Sequence, residues 1–168
     1  FIMILFSLGN SSDAFLILRA KGLGVPVVLI PILWMMFNVV YTAISAPAGI
    51  LSDRIGRRQI LVSGLLIYSL TYFGFALAKN SIEVWLLFAL YGIYYALVEG
   101  IARAYVADLI PSEIRATAYG IYHTSIGLAL LPASIIMGFL WQVLGPAVAF
   151  AFGATLALIS AVLLSFLK

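Results

Sequence analysis

Cysteine is absent from the 168 residues, which excludes disulfides, thiolate metal sites and a cysteine nucleophile. Charge is nearly as scarce. Nine Lys and Arg and six Asp and Glu make up 9% of the chain, where an ordinary soluble domain carries about 25%. So few charged side chains cannot coat a globule of this size, and soluble enzymes and nucleic-acid binders are excluded as classes. Histidine occurs once, at His123. The two-histidine spacing of a membrane metalloprotease is therefore out of reach, no serine–histidine or serine–lysine arrangement stands out, and enzymatic chemistry is not expected. The net charge of +3 comes from a few arginines in one loop rather than from a polyanion-binding surface.

What the chain has instead is apolar length. Hydrophobic residues make up 65% of it and the mean hydropathy is +1.20. A bilayer core of about 30 Å takes roughly 20 apolar residues as a helix. Six stretches meet or approach that length: Phe1–Leu18, Pro26–Ile50, Ile60–Ala78, Ile82–Ile110, Ile114–Leu140 and Ala147–Leu167. Lipid cannot satisfy open backbone groups, and none of the six alternates as a barrel strand does, so each is expected to be a helix. The expected fold class is an all-α membrane protein with six transmembrane helices. Glycine and proline punctuate the joints, as in Lys21-Gly22-Leu23-Gly24-Val25-Pro26 and Gly145-Pro146. The sequence opens inside the run Phe1-Ile2-Met3-Ile4-Leu5 and closes at Lys168 just after another, so it reads as a fragment of a longer protein.

Short connections make neighbouring spans antiparallel. One side then carries Arg54, Arg57, Arg58, Arg115 and Lys168, and the other Arg19, Lys21 and Lys79. The positive-inside bias assigns the first side to the cytoplasm, and Trp85 and Trp141 then fall at the outer interface. Trp34, within a span, reads as a packing residue. Small residues at every fourth position allow close helix approach in lipid. The last span has Ala149, Gly153, Ala157 and Ala161, and the fifth has Ala116/Gly120 and Ser134/Gly138.

The most informative stretch is Gly49-Ile50-Leu51-Ser52-Asp53-Arg54-Ile55-Gly56-Arg57-Arg58-Gln59-Ile60-Leu61, read as the loop between the second and third spans. Gly49 would let a helix end lie close to a neighbour, and Gly56 would permit a sharp reversal. Asp53 supplies an acceptor for an arginine or a helix N-terminus. The segment resembles the cytoplasmic loop motif of the major facilitator superfamily, matching at Gly49, Leu51, Ser52, Asp53, Arg54, Gly56, Arg57 and Arg58. Glu99-Gly100 through Arg103-Ala104, and Ala107 to Gly120, resemble the fourth-to-fifth helix passage of one six-helix half. Asn10-Ser11-Ser12-Asp13-Ala14-Phe15 resembles the first helix of the C-terminal half in bacterial members.

The resemblance implies half of a twelve-helix fold built from inverted three-helix repeats, here about 1–80 and 81–168, with a solute site between halves near the midplane. It further implies a missing N-terminal six-helix half, a bacterial inner (plasma) membrane location and alternating access. No nucleotide-binding motif is present, which points to an ion gradient, protons first, as the energy source. The apolar, tyrosine-rich interior points to efflux of amphiphilic compounds. The partners expected are thus a small solute, protons and the lipid bilayer, with no nucleic acid and no cofactor. Two rival readings are a self-standing six-helix transporter or channel working as a homodimer, and a non-transporting scaffold or sensor.

Ionisable groups inside spans point to function, because leaving them unpaired in hydrocarbon costs several kcal/mol. Glu99 and Arg103 are four apart on the fourth span and are expected to pair. Glu99 lies roughly 16 Å along the axis from Ile110, deep enough to approach the midplane. A contact between Asp53 and Arg103 is expected, with Arg54 or Arg57 near Asp108, as a latch at the cytoplasmic ends; a purely structural cluster is the alternative. Asp13 and Glu99 are candidates for proton or solute coupling, Asp13 otherwise being an interfacial carboxylate beside Arg19. Asn38, Tyr41, Tyr91, Tyr94 and Tyr95 are candidates to line a central path, although tyrosines also suit packing. His123, alone among Tyr122, Thr124 and Ser125, reads as a packing residue first and a proton relay second.

Overall fold

The computed structural model describes residues 1–10 and 12–167. Ser11, part of the quoted motif, and Lys168, counted toward the cytoplasmic charge, lie outside the described residues. The chain forms helices α1 (Ile2–Gly9), α2 (Ala14–Gly22), α3 (Ile30–Ile55), α4 (Arg57–Leu77), α5 (Ser81–Asp108), α6 (Arg115–Leu144) and α7 (Pro146–Phe166), with two single 3-10 turns at Val27–Leu29 and Ser112–Ile114. No strand occurs among the described residues. Six segments are long and apolar enough to cross a bilayer, Ile2–Gly22 being one made of α1 and α2 together. The chain is an integral membrane protein of six spans.

The first span departs from the continuous helix expected over Phe1–Leu18. It ends a helix at Gly9 and starts another at Ala14, with Asn10 closing the first at φ −90°, ψ 82°. Asn, Ser and Asp side chains offer the backbone local partners that compete with the helical ladder. Ser12 Oγ does so here, accepting the Ala14 N–H at 3.3 Å.

The arginine motif also differs from expectation. It is not a loop: α3 continues through Asp53 and Arg54 to Ile55, and α4 begins at Arg57. The whole reversal falls on Gly56, whose φ of +103° is open to glycine alone without strain. Asp53 and Arg57 consequently stand one on each helix, four positions apart. Gly145, at φ +90°, makes the same one-residue joint between α6 and α7. At the start of α5, Asn80 Oδ1 accepts the Glu83 N–H at 3.0 Å while Glu83 Oε2 accepts the Lys79 N–H at 2.7 Å. That reciprocal cap closes two open donors at the helix entrance.

The packing is reciprocal. α4 lies against α7 and α5, α1 against α7 and α6, and α3 against α5. The small stripe on α7 is buried as expected, with Ala149, Gly153, Ala157 and Ala161 all inside. At Gly153 an added Cβ would lie 2.6 Å from Gly9 O and 2.9 Å from Tyr72 Cδ1, so the end of α1 sits directly on α7. In contrast, Ala116 and Gly120 of α6 are exposed, and a Cβ added at Gly120 would meet nothing within 4 Å. α3 and α6 bury the least of their surface, because the six spans supply no further helix to cover them. Trp34 packs on Phe37 and Phe88, and Trp141 on Phe15 and Phe150. Trp85, in the second turn of α5, lies at the same end as Trp141, in the last turn of α6.

Candidate functional site: a charged end and an uncovered polar face

At the end of the bundle where α3 meets α4, Arg57 is the central group. Its guanidinium meets Asp53 Oδ1 at 3.2 Å and Asp108 Oδ2 at 2.9 Å, and Nη1 donates to Ala104 O at 2.7 Å. One side chain thereby ties the last turn of α3, the first of α4 and the last of α5. A cation at the C-terminal carbonyls of α5 also suits the helix dipole. The Arg57 side chain is 27% exposed, but Asp53 and Asp108 are 66% and 54% exposed. Ion pairs this wet contribute about 0–1 kcal/mol each. The cluster can hold a conformation and still release it.

The expected Asp53–Arg103 contact does not form. Arg103 instead holds Glu99, with Nη2 to Oε1 at 3.1 Å and Nε donating to Glu99 O at 3.2 Å. The reason is which face of α5 meets which neighbour. Ala96, Gly100 and Ala104 face the α3 side and line a 250 Å³ cavity with Tyr41, Gly49 and Asp53, while Glu99 and Arg103 face α1 and α6. Of the two arginines considered for Asp108, Arg57 is the partner; Arg54 is exposed and Arg58 intermediate. Gly49 does not serve close approach, since a Cβ there would meet nothing; its carbonyl accepts Ser52 Oγ at 2.7 Å.

The second constellation lies along one face of α1, α2, α5 and α6. Asp13 Oδ1 accepts the Tyr91 hydroxyl at 2.7 Å. Arg19 is not its neighbour: it donates to the carbonyls of Phe75, Ala76 and Ala78 and so caps α4. Asp13 lines a cavity of about 370 Å³ with Asn10, Ser12, Tyr95 and Ser134. Deeper along the same face, Asn10, Glu99, Arg103 and His123 line a second cavity of about 190 Å³. Asn10 belongs to both, so the break in the first span forms the wall between them. A larger cavity, about 520 Å³, is lined mainly by aliphatic and aromatic side chains such as Leu61, Ile121 and Leu164, with no charged side chain in its wall.

The path candidates divide. Tyr95 lines the Asp13 cavity, Tyr94 the Glu99 cavity and Tyr41 the Asp53 cavity. Tyr91 is fully buried and acts through its hydroxyl on Asp13. Asn38 is outside all of these, exposed on α3 with its amide donating to Trp34 O at 2.8 Å. Such back-bonding satisfies the group within its own helix.

A model of the Major Facilitator Superfamily matches residues 1–168, the whole chain. The chain belongs to this superfamily. Its members are transporters and not enzymes. An uncharacterized MFS-type transporter of Methanocaldococcus jannaschii is 45% identical over 175 residues, covering 99% of this chain and 44% of that protein. Multidrug resistance protein 1 of Bacillus subtilis is 31% identical over 127 residues, or 76% of this chain and 32% of the relative. A Na(+), Li(+), K(+)/H(+) antiporter of Planococcus maritimus is 30% identical over 88 residues, 49% of this chain and 21% of the relative. The chain spans less than half the length of each of these relatives.

For this superfamily chain, two contributors escaped sequence reasoning. Tyr68, buried in α4, donates within reach of Gly9 O (3.1 Å) and Asn10 Oδ1 (3.3 Å), and so supports the broken span from behind. Ser134 joins the Asp13 cavity from α6. The Tyr68/Tyr72 pair at helical spacing was a legible signal of an aromatic face, but nothing in it identified the break as its target.

Proposed function

We propose that this chain is the C-terminal six-helix half of a secondary transporter, which moves a small amphiphilic solute by alternating access and is driven by protons. The observation that carries the reading is the uncovered face bearing Asp13, Glu99, Arg103 and His123. Ionisable groups within a span cannot face lipid without a cost of several kcal/mol. They call for water, a solute and a second body opposite, which the other half would supply. The reciprocal packing supports the inverted repeats, about 1–80 and 81–168: α3 on α5 is the counterpart of α6 on α1, and α4 on α5 that of α7 on α1. α4 and α7, the third spans of the two units, pack on each other.

The weak Arg57 cluster suits a latch that closes the cytoplasmic ends in one state and opens in the other. Asp13, linked to Tyr91 and facing a cavity, is the coupling carboxylate in this reading, with Glu99 paired to Arg103. Efflux and proton coupling draw support from relatives named for multidrug resistance and for cation/proton antiport. The arginine-rich end and C-terminus would face the cytoplasm.

The test uses the full-length protein in liposomes with an imposed pH gradient, offered labelled amphiphilic cations, anions and zwitterions. The expected outcome is accumulation of at least one probe above protein-free liposomes, abolished by a protonophore. Equal uptake with and without protein for every probe overturns the transport reading.

A further inference from the structure

The Glu99–Arg103 pair is incompletely used. The guanidinium spends Nε on Glu99 O and one Nη2 hydrogen on Oε1. Its end-on edge, both Nη1 hydrogens and the second on Nη2, meets no protein acceptor among the described residues. Glu99 Oε2 likewise receives no donor among them. Both side chains are about half exposed, at 49% and 48%. They open into the 190 Å³ cavity, whose remaining wall mixes apolar Phe6, Val98 and Ile126 with Asn10 and His123. The unused edge of an arginine is a two-pronged receptor for a carboxylate or similar planar anion. The unused carboxylate oxygen beside it is an acceptor for an ammonium group.

We propose that this cavity is a binding site for a zwitterionic organic solute, its anionic group on the end-on edge of Arg103, its ammonium on Glu99 Oε2 and its apolar body on Phe6, Val98 and Ile126. The charge arrangement selects for both groups at once. The two fixed charges lie 3.1 Å apart, so a solute with one charge meets attraction from one partner and comparable repulsion from the other. A solute with both charges in register is attracted at both ends. Neutral apolar solutes leave both polar groups unanswered, which a desolvated site penalises.

The inference deepens the transport reading by naming a solute class, and it is tested by equilibrium binding so that the two can fail separately. The probes are leucine, 3-methylbutylamine and 4-methylpentanoate, which share one apolar body and differ only in charged groups. With the purified full-length protein, leucine is expected to bind at least about tenfold more tightly than either analogue or an equimolar mixture of the two, a tenfold step being about 1.4 kcal/mol. Arg103→Gln should erase the advantage over the amine and Glu99→Gln the advantage over the acid. The double variant leaves no unpaired charge, should melt as the parent does, and should lose both advantages. No leucine advantage in the parent protein overturns the site, whatever the variants do. An advantage that survives in the double variant overturns it too, and makes the pair a structural contact. Leucine binding without flux leaves the site standing and counts against transport; flux without a zwitterion preference does the reverse.

Discussion

The carboxylate of Asp13, at the break in the first span, accepts a 2.7 Å hydrogen bond from the hydroxyl of Tyr91, which is buried in α5. The two residues are 78 positions apart, Asp13 at the start of α2 and Tyr91 within α5. A bond to a carboxylate contributes about 1.5–3 kcal/mol, more than a neutral one. Tyr91→Phe keeps the ring packing and removes only this bond. The variant should melt earlier, by about 1–3 kcal/mol of stability, and transport more slowly per folded molecule. Thermal unfolding in detergent and uptake normalised to folded protein read the two effects; an unchanged variant would mean that the bond holds nothing in place.

Asp13→Asn separates folding from coupling. The amide oxygen still accepts from Tyr91, so folded yield should stay near that of the parent, but the amide cannot take up and release a proton in the working range. Uptake driven by a pH gradient should fall at least about tenfold, equal to 1.4 kcal/mol or more on the barrier, while exchange of solute at equal concentrations continues. Loss of both activities alike would assign Asp13 to solute binding, and retention of both would remove it from the mechanism.

Arg57 offers the contrast between a small energy and a large effect. Its partners are more than half exposed, so Arg57→Ala should cost only about 1–2 kcal/mol of stability, two surface pairs and a capped carbonyl. If the cluster is a latch, the transport rate should drop far more than folded yield. Arg57→Lys keeps the charge but cannot bridge Asp53, Asp108 and Ala104 O with one planar fork, so it should sit between the two. Rates that track yield across the series would reduce the cluster to a structural tie.

The packing supplies a fourth, purely structural test. Gly153→Ala puts a methyl 2.6 Å from Gly9 O and 2.9 Å from Tyr72, and overpacking of this kind costs about 1–3 kcal/mol. Gly120→Ala, on the exposed face of α6 with nothing within 4 Å, should be neutral or stabilising by up to about 1 kcal/mol from helix propensity. Melting temperatures of the two variants in the same detergent check the ordering, and a reversed order would put α1 and α7 in the wrong relation.

The motif from Gly49 to Arg58 carried the resemblance to the superfamily, while chain composition and the lengths of its apolar runs by themselves determined six crossings and helices instead of strands among the described residues. Those properties depend on solvent transfer and backbone hydrogen bonding along one segment at a time. The Glu99–Arg103 pair was legible for the same reason, since four residues on one helix set its geometry. Only the tertiary structure decided that Arg57, and not Arg103, takes Asp53, because the seat of α3 on the Ala96, Gly100 and Ala104 side of α5 turns Arg103 toward the opposite cavity. Only it showed the first span broken beside Asp13 and Tyr91 reaching that carboxylate. Which faces meet depends on small residues such as Gly9 and Gly153 letting backbones touch, and such a contact is a property of two helices that neither sequence segment contains alone.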